Sequence, residues 1–372
     1  MNRSNVDVHW MQIALSIAKQ GEGLVEPNPM VGCVIVQEGT EIGRGWHRRF
    51  GSYHAEIEAI RNAKETVSGS TAYVTLEPCS HTGKTGPCTE ALIDAGVARV
   101  VISCLDPFEN RAGAGAERLR AAGVDVEIGV LEAEGQALIH PFQMLCVESR
   151  PWVIAKWAMS LDGKIATQLG ESQWISSIES RELVHKWRGN VDAILVGAGT
   201  VSADDPLLTA RPAGNRVATR IVLSSAGDLE KNSQLVRTAR EIPLLVVSGP
   251  QIPVSNRKHL ETCGAEVYVC KSSDSSLQLE ELLQELGRRK MTNLLIEGGG
   301  TVLGSFLEAD LIDEVRAFVC PKLIGGKDAA SPIDGSGIGQ LQLCPNLQMD
   351  STEQIGVDLL VRAVRNRNQK YQ

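Results

Sequence analysis

Thr75-Leu76-Glu77-Pro78-Cys79-Ser80-His81-Thr82-Gly83-Lys84-Thr85-Gly86-Pro87-Cys88, read together with His54-Ala55-Glu56 upstream, organises the first half of the chain. One histidine and two cysteines, His54, Cys79 and Cys88, are three protein ligands for a tetrahedral metal. They leave a fourth position open for water, the coordination of a catalytic zinc. His54 and Glu56 are two apart and share no helical face, yet both can reach a pocket at a helix N-terminus. Pro87, one residue before Cys88, suits a helix start, and the partial positive charge there favours thiolate over thiol. Bound zinc can lower the pKa of water from about 15.7 to about 7. Glu56, beside the metal and not on it, is then the candidate general acid and base. His81 is read as a loop residue and Glu77 as a loop-ordering group.

His-x-Glu followed by a Pro-Cys…Cys loop is the ligand pattern of zinc-dependent base deaminases. In that chemistry hydroxide attacks an amidine-like ring carbon bearing an exocyclic amine, and the carboxylate protonates the departing ammonia. A lone Cys or His is ordinarily a core or surface residue. Four such residues together, with Pro78 before Cys79, favour one catalytic zinc per chain over a structural ion.

Around this stretch the apolar pattern alternates between helix and strand. Asp7 to Lys19 reads as an amphipathic helix and Val31 to Val36 as a strand turned by Glu38-Gly39 into a hairpin. A helix from His54, a strand Ala72 to Leu76, a helix ending at Gly96, a strand from Arg99, a helix Ala114 to Ala122 and a strand Val124 to Val130 follow. Such alternation predicts helices packed on a central sheet. Leu131 to Cys146 starts as a helix that Pro141 kinks or ends.

At 372 residues the chain exceeds one ordinary core. Glu148-Ser149-Arg150-Pro151 is polar and carries a proline, which places the linker there and predicts domains at 1–148 and 149–372. A hydrophobic content of 43% with 22% charged residues is that of a soluble globular protein. No run reaches the apolar length of a membrane span, and the N-terminus carries no signal peptide. Nine thinly spread cysteines suit reduced thiols in the cytoplasm better than a disulfide framework. A net charge of −8 without a basic stripe argues for a small-molecule partner and against nucleic acid.

In the second half Trp152 to Met159 opens a new apolar run turned by Leu161-Asp162-Gly163. Ser176 with Glu179 forms a capping-box pattern for a helix reaching Gly189. Leu294 to Ile296 is a strand running into Glu297-Gly298-Gly299-Gly300-Thr301. Glycines between strand and helix let backbone N–H groups approach a phosphate, but this is not the G-x-G-x-x-G fingerprint, and a plain tight turn explains it equally well.

Most cytidine and adenosine deaminases have C-x-x-C at the metal, whereas here eight residues separate Cys79 from Cys88. That longer loop resembles the deaminase half of the bifunctional deaminase–reductase family of riboflavin biosynthesis, as do Asn28-Pro29-Met30-Val31-Gly32 and His47. The second half resembles the reductase half of the same family. Matching strings are Lys156 to Lys164, Gly170 to Ile175, Gly199-Thr200-Val201, Asp204-Asp205-Pro206, Glu297 to Gly300 and Pro321 to Gly326. The resemblance covers nearly the whole chain. It implies a cytidine-deaminase-like α/β/α domain followed by a dihydrofolate-reductase-like α/β domain.

The substrate it implies is 2,5-diamino-6-ribosylamino-4(3H)-pyrimidinone 5′-phosphate, which loses its 2-amino group. NADPH then reduces the ribosyl chain to ribityl. Asn28, His47, Lys84 and Asp106 would contact base, ribose or phosphate. NADPH would meet Ala158, Trp174, Thr200, Asp204 and the turn Gly299, Gly300, Thr301, Val302, Leu303, Gly304 and Ser305. The sugar phosphate would meet Ser172, Arg188, Leu208, Arg211 and Glu297, with Lys156 nearby. Two departures stand out. Phe108-Glu109 replaces the family's usual Asn-Pro after Asp106-Pro107, so a phosphate contact is lost or passes to Asn110 or Arg111. Ile221 to Ser225 has serine where the family often has aspartate.

Two other readings compete. One keeps the zinc deaminase but gives it a base in RNA, with the C-terminal half as a recognition module. The other makes the zinc structural and the second domain a ligand sensor. Neither composition nor motif fixes an oligomeric state, for which a homo-oligomer is the expectation.

Overall fold

The computed structural model describes residues 3–81, 86–108 and 111–366. The chain divides into two units, Met1–Ser149 and Arg150–Gln372.

The first unit is a five-stranded sheet between two helical layers. In chain order its elements are α1 (Arg3–Ala18), β1 (Gly32–Gln37), β2 (Thr40–Trp46), α2 (Ala55–Arg61), β3 (Thr71–Leu76), α3 (Cys88–Asp94), β4 (Arg99–Cys104), α4 (Ala114–Ala121), β5 (Asp125–Ile128) and α5 (Glu132–Glu148). The strand order is β2-β1-β3-β4-β5. β1 pairs antiparallel with β2 and β3, and β3, β4 and β5 run parallel. The period-two rule explains why β1 reads as a continuous apolar run. Cys33 and Ile35 join Ala55, Leu92 and Leu119 under α2, α3 and α4. Val34 and Val36 join Met11, Ala14 and Leu138 under α1 and α5. Gly45 lets α2 close onto β2, because a Cβ there would lie 2.5 Å from Ala55 O.

Two expectations for this unit shift. α5 runs through Pro141 to Glu148 instead of ending there. Proline removes only one N–H from the ladder, and burial of Leu138, Ile139 and Met144 holds the helix on either side. β5 is shorter than the apolar run suggests, closing at Ile128.

The second unit is a nine-stranded sheet. Its elements are β6 (Trp152–Ser160), α6 (Ile178–Arg188), β7 (Ala193–Gly197), α7 (Ala198–Asp204), β8 (Thr219–Leu223), α8 (Gln234–Arg237), β9 (Leu244–Ser248), α9 (Val254–Cys263), β10 (Glu266–Val269), α10 (Ser275–Arg288), β11 (Asn293–Gly298), α11 (Gly300–Glu308), β12 (Glu314–Cys320), β13 (Leu347–Ile355) and β14 (Asp358–Arg365). The order is β10-β9-β8-β7-β11-β6-β12-β14-β13. The strands from β10 to β12 are parallel, and β14 and β13 close the edge antiparallel. Leu279, Leu282, Leu283 and Leu286 of α10 and Phe306 of α11 pack on Val153, Leu195, Leu245 and Leu294. Each such side chain contributes about 1.5–3 kcal/mol on burial.

The α6 cap differs from the sequence pattern by one residue. Ser177, not Ser176, is the N-cap, its Oγ accepting Ser180 N–H, because the carboxylate of Asp358 takes Ser177 N–H at 2.7 Å and fixes the chain entry. Of the segment expected as a turn over 299–305, only Gly299 lies between strand and helix; β11 ends at Gly298, and from Gly300 the chain is helix.

Candidate active sites

Two helix starts and one strand end converge in the first unit. His54 precedes α2 in extended conformation, so its ring stands clear of the helix while Glu56 points inward from the first turn. Cys79 follows the end of β3, and Cys88 is the first residue of α3. Thr89 N–H bonds Cys79 O at 3.2 Å and Cys88 N–H bonds Cys79 Sγ at 3.4 Å, which ties the two cysteine segments together. The resulting ligand atoms all lie within 4.8 Å of one another. His54 Nδ1 is 3.2 Å from Cys88 Sγ and 3.6 Å from Cys79 Sγ. Zinc with bonds of about 2.0–2.1 Å to nitrogen and about 2.3 Å to sulfur sets tetrahedral neighbours about 3.5–3.8 Å apart. The donor set fits the ion.

The electrostatics agree. The hydrogen bond from Cys88 pulls the Cys79 thiol down to about 4, with His54 adding to it against burial. The same shared bond, with burial, drives Cys88 upward. Alone, the pair shares one proton; a dication lets both ionise. Glu56 is 3% exposed, and burial pushes its carboxyl up.

The pocket in front of this triad measures about 350 Å³ and is lined by Asn28, His47, Glu56, Cys79 and Asp106 as well as His54. Cys88 is buried behind it. Asn28 Nδ2 lies 3.1 Å from His47 Nε2, and His47 Nδ1 3.0 Å from Tyr53 O. The tautomer that satisfies both carries its proton on Nδ1, and burial lowers the pKa of His47. Lys84, also expected here, lies outside the described residues. The opposite wall is made by Phe108 and Arg111, from the segment that departs from the family pattern, and by Phe142, which the sequence did not announce. Phe142 comes from α5, and no local signal pairs it with a loop so far away in the chain.

In the second unit a cleft of about 1010 Å³ opens at the C-terminal ends of β6, β7 and β11, where parallel sheets bind ligands. Lys156 of β6 and Glu297 of β11 form its floor, with Arg188 at the end of α6. Arg188 grips Glu297 through two bonds, Nε–Oε1 at 2.6 Å and Nη2–Oε2 at 2.7 Å. Burial alone would raise the Glu297 carboxyl, but Arg188 and then Lys156 prevail and lower it. Burial lowers the Lys156 ammonium.

Ser172, Trp174, Arg211, Ala158, Thr200 and Asp204 all line this cleft. Ser172 Oγ reaches Asp204 Oδ1 at 3.3 Å. Trp174 is 61% exposed, its ring 4.5 Å from the Arg181 guanidinium and its carbonyl held by Lys322 Nζ. Leu208 sits on the wall with φ +55°. Its neighbour Leu207 accepts a 3.5 Å bond from Arg220, a fully buried arginine that no motif announced.

Gly299, with φ +80°, starts α11, and Gly300 to Leu303 join the lining. Gly304 and Ser305 do not. A Cβ on Gly304 would meet Asp334 O at 2.1 Å, and Ser305 Oγ turns back to Thr301 O. A helix, unlike a turn, winds the chain away, so only the residues of its first turn stay at the cleft.

A buried carboxylate beside a His–Cys–Cys triad is the constellation of zinc-dependent base deaminases, and here it heads a chain whose second unit is a separate ligand-binding α/β domain. Two family models divide the chain the same way. The cytidine and deoxycytidylate deaminase zinc-binding region matches residues 4–104, and the RibD C-terminal domain matches residues 151–361. The riboflavin biosynthesis protein RibD of Actinobacillus pleuropneumoniae is 41% identical over 359 residues, 96% of this chain and 95% of that protein. The solved Acinetobacter baumannii RibD superposes with a TM-score of 0.83 at 34% identity, covering 98% of this chain and all of that one. A Thermotoga maritima diaminohydroxyphosphoribosylaminopyrimidine deaminase/5-amino-6-(5-phosphoribosylamino)uracil reductase gives the same TM-score, identity and coverage. The chain belongs to the RibD family, bifunctional deaminase–reductases of riboflavin biosynthesis. The first unit is cytidine-deaminase-like and the second dihydrofolate-reductase-like, so the reading of the second half as an RNA-recognition module gives way.

Proposed function

We propose that the first unit removes the 2-amino group of 2,5-diamino-6-ribosylamino-4(3H)-pyrimidinone 5′-phosphate and that the second reduces the ribosyl group to ribityl with NADPH. The observation that carries the deaminase reading is Glu56, buried beside His54, Cys79 and Cys88 and lining the pocket in front of them. One zinc ion per chain, held by those three residues, supplies an acidified water as nucleophile. Glu56 takes a proton from the nucleophile and returns it to the departing ammonia, a task that its burial-raised pKa suits. Asn28 and His47, locked together, orient the base, and Asp106 faces the sugar.

In the reductase, bound NADPH would supply the hydride needed at the ribosyl C1, whose bond to the ring oxygen opens. Ala158, Trp174, Thr200, Asp204 and the start of α11 hold the cofactor. Ser172, Arg188, Leu208 and Arg211 hold the sugar phosphate. Lys156, made a readier acid by burial, delivers a proton to the ring oxygen, while Glu297 keeps Arg188 in place and binds hydroxyls.

The enzyme works in the cytoplasm as a homo-oligomer. All nine cysteines are free, which suits a reducing compartment. β13 is exposed along nearly its whole length, Leu347 and Met349 included, and follows exposed Leu341 and Leu343, a face that a second copy would cover. Sedimentation of the wild type and of Met349→Glu tests this: a monomer in both cases rejects it.

The activities separate in one assay. Zinc-loaded protein with the diaminopyrimidine ribosyl phosphate should release ammonia and then oxidise NADPH. Ammonia without NADPH oxidation sinks the reductase assignment, and the reverse sinks the deaminase assignment. Glu56→Ala should abolish ammonia release while bound zinc stays near stoichiometric.

A further inference from the structure

Phe108 is the centre of a small wall in the deaminase pocket. Its ring meets Phe142 edge to face, centroids 6.1 Å apart at 80°. The Arg111 guanidinium lies 4.7 Å from the centroid of the same ring. Phe108 N–H bonds Asp106 Oδ1 at 2.9 Å, and Arg111 N–H bonds Phe108 O at 2.9 Å, so the wall grows directly out of the Asp106 turn.

We propose that Arg111 reads the phosphate of the deaminase substrate and sets this pocket's preference for phosphorylated over unphosphorylated ligands. The inference deepens the deaminase reading above and rests on it. A guanidinium stacked through its face keeps its N–H edges free for an anion, and the stack fixes where they point. Among the described residues no side-chain hydrogen bond or ion pair occupies Arg111. It is also the one permanent cation among the described residues that line the pocket. His54 belongs to the metal set, and His47 is tied to Asn28 and Tyr53. The Asp106 carboxylate suits sugar hydroxyls but repels a phosphate arriving beside it. Arg111 offsets that repulsion and adds charge-assisted bonds. Phe108 itself offers the phosphate nothing; it serves as the platform that holds the cation.

The test uses the zinc-loaded full chain, the ribosyl phosphate substrate and the same compound after phosphatase treatment. Arg111→Met should raise KM for the phosphorylated substrate about 10- to 100-fold, the range of a lost hydrogen bond to a charged group. KM for the dephosphorylated compound should move less than about threefold, because that ligand never meets the lost charge-assisted bond. Arg111→Lys should recover part of the loss, and inorganic phosphate should inhibit the wild type more strongly than Arg111→Met. Retained zinc shows that the variant's pocket is intact. An unchanged ratio of the two KM values overturns the proposal, whether both rise (a wall that only packs) or neither moves. Wild-type protein that releases no ammonia overturns the underlying deaminase reading and the proposal with it.

Discussion

Glu77 holds Asp106 by its backbone: Asp106 N–H donates to Glu77 Oε2 at 3.1 Å. The same carboxylate accepts Gly113 at 2.9 Å, Gly115 at 2.7 Å and Ala116 at 3.1 Å. The end of β3, which delivers Cys79 to the metal set, therefore also positions the loop that faces the substrate and the first turn of α4. Glu77→Gln leaves one acceptor oxygen and turns an amide NH2 towards N–H groups. The deaminase KM should rise more than kcat falls, with zinc retained and about 1–3 kcal/mol of stability lost. Steady-state kinetics beside metal analysis decide it: an unchanged KM with full zinc shows that the loop holds without Glu77.

Metal removal should split the two activities. Dialysis against a chelator should abolish ammonia release, yet NADPH oxidation with the deaminated intermediate should continue at the untreated rate. Zinc added back should raise the thermal midpoint, since an ion that binds only the folded state stabilises it. Equal loss of both activities on chelation would count against separate centres.

The Arg188–Glu297 pair is buried, with side chains 14% and 5% exposed. Arg188→Met strands a carboxylate and should cost about 3–5 kcal/mol as well as reductase activity. Adding Glu297→Gln should restore much of the stability but none of the activity. Denaturant midpoints for the two singles and the double give the coupling energy. Additive losses would mean that the two groups do not depend on each other.

Asp7 supplies a pH prediction away from either centre. Burial raises its pKa, but hydrogen bonds from Arg99 and Tyr73 win, and it ends below its ordinary value of 3.8. The unfolded chain therefore binds the proton more readily. The stability that Asp7 confers is present above about 3.8 and drains away as the pH falls through its lower folded value. Asp7→Asn should cost about 3 kcal/mol near neutrality, the lower end for a broken buried pair. That deficit should shrink steadily as unfolding is followed from pH 5 down to about 2. A deficit that is constant with pH would assign the loss to packing.

Much of the site was legible because its chemistry is local. His54, Glu56 and Cys88 stand at helix starts and Cys79 just past a strand end, positions that short patterns announce, and Gly299 marks a helix N-terminus. What the sequence hid is long-range. Glu77 reads as a loop-ordering group and is one, but its four partners lie in a segment far along the chain. Phe142 is one apolar residue of α5 until the fold sets it against Phe108. Among the described residues Arg220 has no acidic partner to betray it; it is satisfied by carbonyls such as Ile242 O at 2.6 Å. Pro141 misled because local propensity yields to packing on both sides of it.

The start of α11 restricts how this chain can diverge. Asp334 presses on Gly300 and Gly304 so closely that a Cβ would sit 2.4 Å from its carboxylate or 2.1 Å from its carbonyl. Gly299 is bound by its φ, and Val302, Leu303 and Phe306 by burial. That leaves Thr301, exposed at the mouth of the cleft, as the position where substitution meets least resistance. Variation among relatives along this wall of the cleft should collect at that one residue, while the helix beneath it stays fixed.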